Sequence, residues 1–285
     1  MVLAELAIFP LLSVVFALLA VFIGYGIAVA NDHVDPWLPF ISDCGAIQPE
    51  SSIFGQLLNI HAFFLAVTVY FVHRHRLWFY SRACHKDIGS WRLFSIVVML
   101  IGVLASLGAS MVANFQEGAQ LVTHTVGALL YFIGIEVYFF AQLVMAYMLR
   151  PRMTSIHLTN SRLILALTAI AVLAFHITCL FASPFVKEID GKKPTESVPA
   201  SGIVRHKKGD PFYSNWLATT VSEWVLAFLI LLHVLTYCYD FAMVKIPSLE
   251  DLHASCIKHE KANWSDEPSE QVRAWPSTSR LHVFI

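Results

Sequence analysis

Residues 93–113 read LFSIVVMLIGVLASLGASMVA, a run of 21 residues without a charged side chain. An α-helix needs about 20 mostly apolar residues to cross the hydrocarbon core of a bilayer. The run is too long for a barrel strand, and unpaired backbone cannot lie in lipid, so a membrane-spanning helix is predicted. Five similar runs bring the predicted spans to six, at residues 7–30, 52–72, 93–113, 119–148, 163–183 and 215–242.

The composition of the whole chain is also that of a membrane protein. Of its 285 residues, 57% are hydrophobic and 14% are charged, with a mean hydropathy of +0.63. Ordinary soluble domains carry about 45–50% apolar and about 25% charged residues. The net charge of −1 provides no basic surface for nucleic acid, so we expect no nucleic-acid partner. The five cysteines lack the paired spacing of a zinc site, and neither a metal nor another cofactor is predicted.

We predict an all-α fold, a polytopic bundle of six transmembrane helices with both termini in the cytosol. Lys and Arg in short loops set the orientation. Eight of them lie between predicted spans 2 and 3 or 4 and 5, whereas residues 31–50 and 114–118 contain none. Residues 184–214 carry six basic residues against four acidic ones on the opposite side, an exception that a longer loop can carry. Residues 1–244 are predicted to form the transmembrane domain and residues 245–285 a partly disordered cytosolic tail.

A few ionisable residues interrupt the apolar spans. Each costs roughly 2.5–3.5 kcal/mol at the bilayer centre on insertion scales, so each is a candidate for function. His124 and Glu223 are predicted to lie at similar depth, near the luminal surface. They are interpreted either as part of a lumen-facing polar site, with Glu117 and with Asp43 and Glu50 of the first loop, or as a buried pair that fixes helix 4 against helix 6.

The first loop, residues 31–51, contains many turn-forming residues and reads NDHVDPWLPFISDCGAIQPES. Asp43 and Gly45 favour a tight turn, and Pro49 precedes a Glu50-Ser start that is expected to cap the second helix. We therefore predict an ordered lid over the luminal end of the bundle.

A catalytic role is not predicted, because the sequence lacks a matched nucleophile and base. No two His residues stand four apart with a Glu between them, and no Gly-x-Ser-x-Gly is present. Cys179 and Cys238 lie in predicted spans without such a base. Cys44 and Cys179 are the one conceivable disulfide pair at the luminal end, and the sequence leaves that bond open.

Helix 3 carries a stripe of small residues, with Gly102, Ser106 and Ser110 four apart. This spacing lets two membrane helices approach closely, so we predict a packing role. The segment after the second span is basic and aromatic, which is typical of an anchor at the membrane interface. A second interpretation is contact with anionic phosphoinositide headgroups by Arg74, Arg76, Arg82 and Lys86.

Short motifs in order from the first loop to the last span are similar to those of one known family. They are 33–45 (HVDPWLPFISDCG), 49–51, 53–55, 112–117 (VANFQE), His124 with 127–130, 223–224, 227–228 and 240–241. On these residues the chain resembles the FRAG/DRAM/SFK family of six-span membrane proteins. The resemblance singles out Asp43, Gly45, Pro49, Glu50, Asn114, Glu117, His124, Glu223 and Trp224.

The resemblance implies a multi-pass protein of lysosomal or late-endosomal membranes that promotes autophagy without an established reaction. Its expected partners are membrane lipids and membrane or cytosolic proteins. Other branches of the family imply an alternative, a lipid-handling regulator of phosphoinositide kinase recruitment or phospholipid asymmetry at the plasma membrane. A shared fold does not fix a shared activity, and the tail, residues 245–285, is longer than the family pattern.

Overall fold

The computed structural model describes residues 5–85, 87–196 and 202–242, and the regular elements in these ranges are helices. Six of the helices are long and apolar enough to cross a membrane, which confirms the predicted all-α six-span fold. Lys86, the tail and the side chain of Arg82 lie outside the described part. The six helices are α1 Ile8–Ala30, α2 Glu50–Trp78, α3 Ser90–Asn114, α4 Leu121–Met148, α5 Ile156–Ala182 and α6 Tyr213–Ala242.

The two helices that extend furthest beyond their predicted spans are α2 and α5. The side chain of Ser155 accepts a 3.2 Å hydrogen bond from the backbone N–H of Leu158, so α5 begins before the apolar run and includes Arg162. Similarly, α2 continues to Trp78 and includes Arg76. Hydropathy places both arginines in connecting segments, whereas they are only 7% and 5% exposed. A long aliphatic stem lets arginine occupy a helical position that a hydropathy criterion assigns to a loop.

Small residues bring the helices close together. A Cβ atom added to Gly108 of α3 would lie 2.7 Å from the carbonyl oxygen of Gly127 in α4. One added to Gly102 would lie 2.8 Å from the Val69 side chain of α2. The predicted packing role of the helix 3 stripe is therefore confirmed. Consecutive helices pack together and α6 also contacts α1, around a core that includes Leu65, Val98, Ile135, Phe139, Leu226 and Ile230.

The connections divide the bundle into two ends. The α1–α2, α3–α4 and α5–α6 connections lie at one end, which we call the lid end. The α2–α3 and α4–α5 connections lie at the other, which we call the basic end because it holds Arg74, Arg92, Arg150 and Arg152.

Candidate functional site

The lid, residues 31–49, is fastened to the bundle by hydrogen bonds to its backbone. The hydroxyl of Tyr25 in α1 donates to the carbonyl oxygen of Pro36 at 2.9 Å. The indole Nε1 of Trp224 in α6 donates to the carbonyl of Pro39 at 2.8 Å. An ordered lid at this end is confirmed, and Trp224, one of the predicted site residues, contributes by positioning it.

A buried turn at Asp43–Gly45 brings the lid against the helices. A Cβ atom added to Gly45 would overlap the ring of Phe54, so only glycine fits there. A Cβ added to Gly24 of α1 would lie 2.8 Å from the carbonyl oxygen of Cys44. Gly45 therefore acts through packing, which places the neighbouring carboxyl of Asp43 inside the protein.

Three carboxyl groups meet beneath the lid. Burial, and then the charges of Glu117 and Glu223, raise the pKa of Asp43 well above its ordinary value, although a hydrogen bond with the backbone of Phe40 opposes the shift. Glu223 of α6 accepts a 2.8 Å hydrogen bond from the backbone N–H of Ile41. The structure thus brings together three of the predicted site residues from the lid, the α3–α4 connection and α6.

Glu117 also connects the lid to the α3–α4 connection. The hydroxyl of Ser42 donates a 2.5 Å hydrogen bond to its Oε2. Ser42 is not among the predicted site residues, because a serine in a loop gives no signal of its partner in sequence. The bond fixes Glu117 at the border of the carboxyl cluster.

Glu50 forms a separate contact at the start of α2. Its Oε1 lies 2.5 Å from Nδ1 of His33, and its side chain is fully buried. The expected capping of α2 by the Glu50-Ser start is wrong, because Glu50 is already the first residue of the helix and no side-chain cap hydrogen bond forms there. The carboxylate instead binds the lid histidine, so Glu50 anchors the lid beside the three-carboxyl cluster.

His124 and Glu223 do not bind each other. Nδ1 of His124 lies 2.7 Å from the carbonyl oxygen of Phe115, so the ring is bound to the end of its own connection. Both residues nevertheless line one groove between α4 and α5. His176 of α5 lines the same groove and binds the Thr219 carbonyl at 3.1 Å. The interpretation as a shared polar site fits this arrangement better than the interpretation as a direct pair.

The groove has a volume of about 250 Å³ and is polar only near the lid. Exposed apolar side chains, including Leu121 and Phe181, border it. A second cavity, of about 360 Å³, shares Phe40 and Glu117 with the groove. Below Glu117, His124 and Glu223, the wall of the groove is formed by Ala128, Leu129, Phe132, Leu173 and Ile177.

Asn114 does not belong to this cluster. Its side chain is exposed and donates a 3.0 Å hydrogen bond to Asn59 of α2. Asn59 in turn accepts a 2.6 Å hydrogen bond from Ser110. Asn114 therefore joins α2 to α3 instead of lining the groove.

A second loop contacts the lid from the α5–α6 connection. Arg205 lies 3.2 Å from Asp32 and 3.6 Å from Asp35, so a basic residue of this long connection meets acidic residues of the lid. His206 pairs with Glu196 at 2.6 Å. These contacts cannot be predicted from the sequence, because the paired residues in the lid and in this connection lie far apart along the chain.

The cysteines near the lid are not bonded to each other. Cys44 and Cys179 are both buried and free. The thiol of Cys44 donates to the carbonyl of Phe40 at 3.3 Å, and burial raises its pKa above the ordinary value. A raised pKa keeps the thiol protonated and unreactive. Among the residues that the structure describes, no three His, Cys, Asp or Glu side chains are grouped as metal ligands would be.

At the basic end, Arg74 and Arg76 are the two predicted anionic-lipid contacts whose side chains the structure describes, and they differ in exposure. Arg74 is exposed and Trp78 beside it is 51% exposed, as an interface anchor requires. Arg76 was expected at the surface with Arg74, but it is buried because its position on α2 faces the other helices. Arg76 is therefore not available to a surface headgroup.

Comparison with known proteins identifies the family. A family model described as the Frag1/DRAM/Sfk1/Cwh43P N-terminal domain matches residues 5–244. The chain belongs to the Frag1/DRAM/Sfk1/Cwh43P family. This confirms the resemblance read from the motifs, and the match covers the six spans of this family member. No solved structure matches the chain.

Individual relatives of this Frag1/DRAM/Sfk1/Cwh43P member align with more than half of the chain. The motifs most resemble DRAM, and the chain is 30% identical over 241 residues to DNA damage-regulated autophagy modulator protein 1 of Homo sapiens, covering 85% of this chain and 93% of that protein. It is 29% identical over 251 residues to DNA damage-regulated autophagy modulator protein 2 of Rattus norvegicus, covering 87% and 88%. Modulator of macroautophagy TMEM150B of Xenopus tropicalis is 34% identical over 169 residues, covering 59% and 70%.

Proposed function

We propose that this protein is a non-enzymatic modulator of autophagy that acts by binding a lipid-like amphiphile in the groove between α4 and α5. The names of its relatives, autophagy modulators, support the cellular process. The groove supports the mode of action. Its carboxyl-lined end beneath the lid, above an apolar wall, is the observation that carries the proposal.

The shape of the groove suits a molecule with two chemically different ends. Leu129, Phe132 and Leu173 offer an apolar wall for an acyl chain. Glu117 and Glu223 offer acceptors to a head group bearing hydroxyl or ammonium donors. A phosphate head group would face these carboxylates with like charge. The ligand class is therefore an amine- or hydroxyl-headed amphiphile that enters from the bilayer.

We further propose that the protein resides in lysosomal or late-endosomal membranes with the lid end facing the lumen. The basic end then faces the cytosol, in accord with the excess of Lys and Arg in its short connections. The raised pKa of Asp43 suits an acidic compartment, because protonation there removes one charge from the three-carboxyl cluster.

The experiment that tests the groove compares two tryptophan substitutions on one helix. Ala128→Trp places a large ring in the groove, whereas Val126→Trp lies on α4 at a position that is 52% exposed and does not line it. Cells lacking the endogenous protein are complemented with each variant, and autophagic flux is measured. We expect loss of function with Ala128→Trp alone. Equal flux with both variants at equal expression would refute a role for the groove.

Ligand class is tested on the full chain in nanodiscs. A photoactivatable sphingoid base, which has an ammonium head, should crosslink to the wild-type chain and less to Glu223→Gln. A matched photoactivatable phosphatidic acid should crosslink weakly to both. Stronger crosslinking of the phosphatidic acid than of the sphingoid base would contradict the proposed ligand class.

Imaging of the tagged chain with lysosomal and plasma-membrane markers tests the location. Residence at the plasma membrane, with loss of phosphoinositide there on Arg74→Gln and no change in flux, would instead favour the lipid-handling regulator.

A further inference from the structure

Arg76 is a buried cation near the basic end that forms no direct ion pair with any residue that the structure describes. Its side chain lies in α2 at 5% exposure, and its Nε has no hydrogen-bond partner. Within residues 5–85, 87–196 and 202–242, no Asp or Glu oxygen lies within 4.0 Å of its guanidinium nitrogens. An ion taken out of water is strongly destabilising unless an opposite charge compensates it, so this residue requires a partner.

The neighbouring ion pair does not supply that partner. Arg162 of α5 lies 3.0 Å from Oδ2 of Asp240 in α6, and it also donates to Thr236 at 2.8 and 2.9 Å. Asp240 also attracts Arg76 at longer range, but its direct partner is Arg162. The other groups around Arg76 include the histidines His75 and His233 and the tyrosines Tyr80, Tyr138 and Tyr237. Among the described residues, two guanidinium groups share one carboxylate, which leaves an excess of one positive charge.

Arg76 borders a small cavity enclosed by α2, α4, α5 and α6. The cavity volume is about 20 Å³, and a buried water needs about 10–15 Å³ on this measure. Its lining consists largely of groups that can donate hydrogen bonds. These groups include Arg76, Gln142, Thr159, Arg162, His233 and Tyr237.

The size of the cavity selects the ligand. The cavity holds one atom or small molecule of about the size of water. A phosphate group has four oxygens and does not fit without displacing side chains. A monatomic anion needs only one such position and accepts hydrogen bonds from all sides. Met153 and Thr154 of the α4–α5 connection form part of the wall, so the cavity adjoins the surface of the basic end.

We propose that this cavity is a binding site for a single monovalent anion of chloride size, which neutralises Arg76 inside the bundle. The anion takes the place of a second carboxylate. Because it exchanges with the surrounding water, the packing of the helices that line the cavity becomes dependent on the anion that the medium supplies.

The test uses the full chain in detergent micelles. Binding of radioactive chloride is measured by equilibrium dialysis, and thermal unfolding is followed in sodium chloride and in sodium gluconate at equal ionic strength. We expect one chloride per chain. We also expect the unfolding midpoint to be roughly 2–4 °C higher in chloride than in gluconate, because a ligand of the folded state stabilises it.

The Arg76→Gln variant distinguishes anion binding by the arginine from a purely structural role. The variant should bind chloride roughly tenfold more weakly or worse, and its midpoint should not differ between the two salts. In gluconate it should unfold no earlier than wild type, because it carries no unpaired charge. A lower midpoint in gluconate would show that the arginine is satisfied within the chain and would overturn the proposal.

Two further variants act as controls. Arg74→Gln removes an exposed arginine from the same helix and should keep the full chloride effect. Gln142→Glu places a fixed carboxylate in the cavity wall and should make stability independent of chloride. Equal midpoints of the wild type in both salts, or stabilisation by inorganic phosphate or a phosphoinositide but not by chloride, would refute a chloride-sized site.

Discussion

Nε1 of Trp224 donates a 2.8 Å hydrogen bond to the carbonyl oxygen of Pro39, which fastens the lid to α6. The preceding residue of α6, Glu223, accepts a 2.8 Å hydrogen bond from the backbone N–H of Ile41. Two consecutive residues of one helix therefore hold two nearby backbone groups of the lid. The Glu-Trp motif thereby couples the position of the lid to the cavity-lining carboxylate.

Replacing Trp224 by Phe should loosen the lid while leaving the bundle folded. The change removes one hydrogen-bond donor and keeps an aromatic ring at this position. The expected cost in stability is about 1 kcal/mol. Hydrogen exchange followed by mass spectrometry should show faster exchange in residues 36–42. Trp37→Phe is the matched control, since Trp37 lies in the lid and is 59% exposed. Unchanged protection in Trp224→Phe would mean that the indole does not hold the lid.

Asp43→Asn should change how stability depends on pH. Since the pKa of Asp43 in the folded chain is raised above its ordinary 3.8, the folded state binds this proton more tightly than the unfolded state does. The resulting stabilisation is present below the ordinary pKa and is lost as pH rises through the folded value. Above the ordinary pKa the carboxyl must either ionise inside the protein or take up a proton on folding, and both reduce stability, so at neutral pH the variant should unfold at a higher temperature than wild type.

The advantage of Asp43→Asn should shrink as pH falls towards the ordinary pKa of 3.8, because the unfolded state of wild type then carries the same proton as the folded state. Thermal unfolding of the full chain in detergent at several pH values measures this. Asp32→Asn is the control, as the side chain of Asp32 is 90% exposed and its loss should leave the pH profile unchanged. A difference between Asp43→Asn and wild type that is constant with pH would contradict the burial argument.

Apolar runs and local motifs predict the spans and the lid, because both depend on nearby residues. A continuous run such as 93–113 fixes a helix by itself, and the spacing of Gly102 and Ser106 already indicates close packing. The turn at Asp43 and Gly45 is likewise local. Sequence therefore suffices for the six-helix architecture and for the carboxyl residues of the lid end.

Pairings between distant residues could not be predicted in the same way. Glu50 meets His33 and Asp32 meets Arg205 only because the helices fold back on one another. Arg76 follows Arg74 by two positions, and a rotation of about 200° around α2 places one inside and the other outside. Which of the two arginines faces inward depends on the helices that pack against α2. Hydropathy carries no information on those neighbours.

Gly108→Ala should push α3 away from α4. The added Cβ would lie 2.6 Å from the backbone nitrogen of Tyr131, and a backbone atom cannot move aside as a flexible side chain can. Overpacking of this kind costs typically about 1–3 kcal/mol. The expected result is a lower unfolding midpoint, with less folded protein recovered from membranes.

Gly26→Ala is the matched control for that substitution. Gly26 also lies within a helix, but nothing lies within 4 Å of an added Cβ. Alanine is favoured over glycine in a helix by roughly 1 kcal/mol, so this variant should be as stable as wild type or slightly more so. Equal destabilisation of both variants would show that close helix packing at Gly108 is not the cause.

A second substitution at Glu50 should restore part of the stability that is lost when His33 is replaced. Oε1 of Glu50 lies 2.5 Å from the histidine and Oε2 has no hydrogen-bond partner, so His33→Ala leaves a fully buried carboxyl unsatisfied. The expected loss is about 1.5–3 kcal/mol. Adding Glu50→Met removes the buried polar group. It should restore part of the stability, because an apolar side chain of similar length needs no hydrogen-bond partner. Thermal unfolding of the two single variants and the double variant measures the coupling. Purely additive losses would mean that the two side chains do not depend on each other.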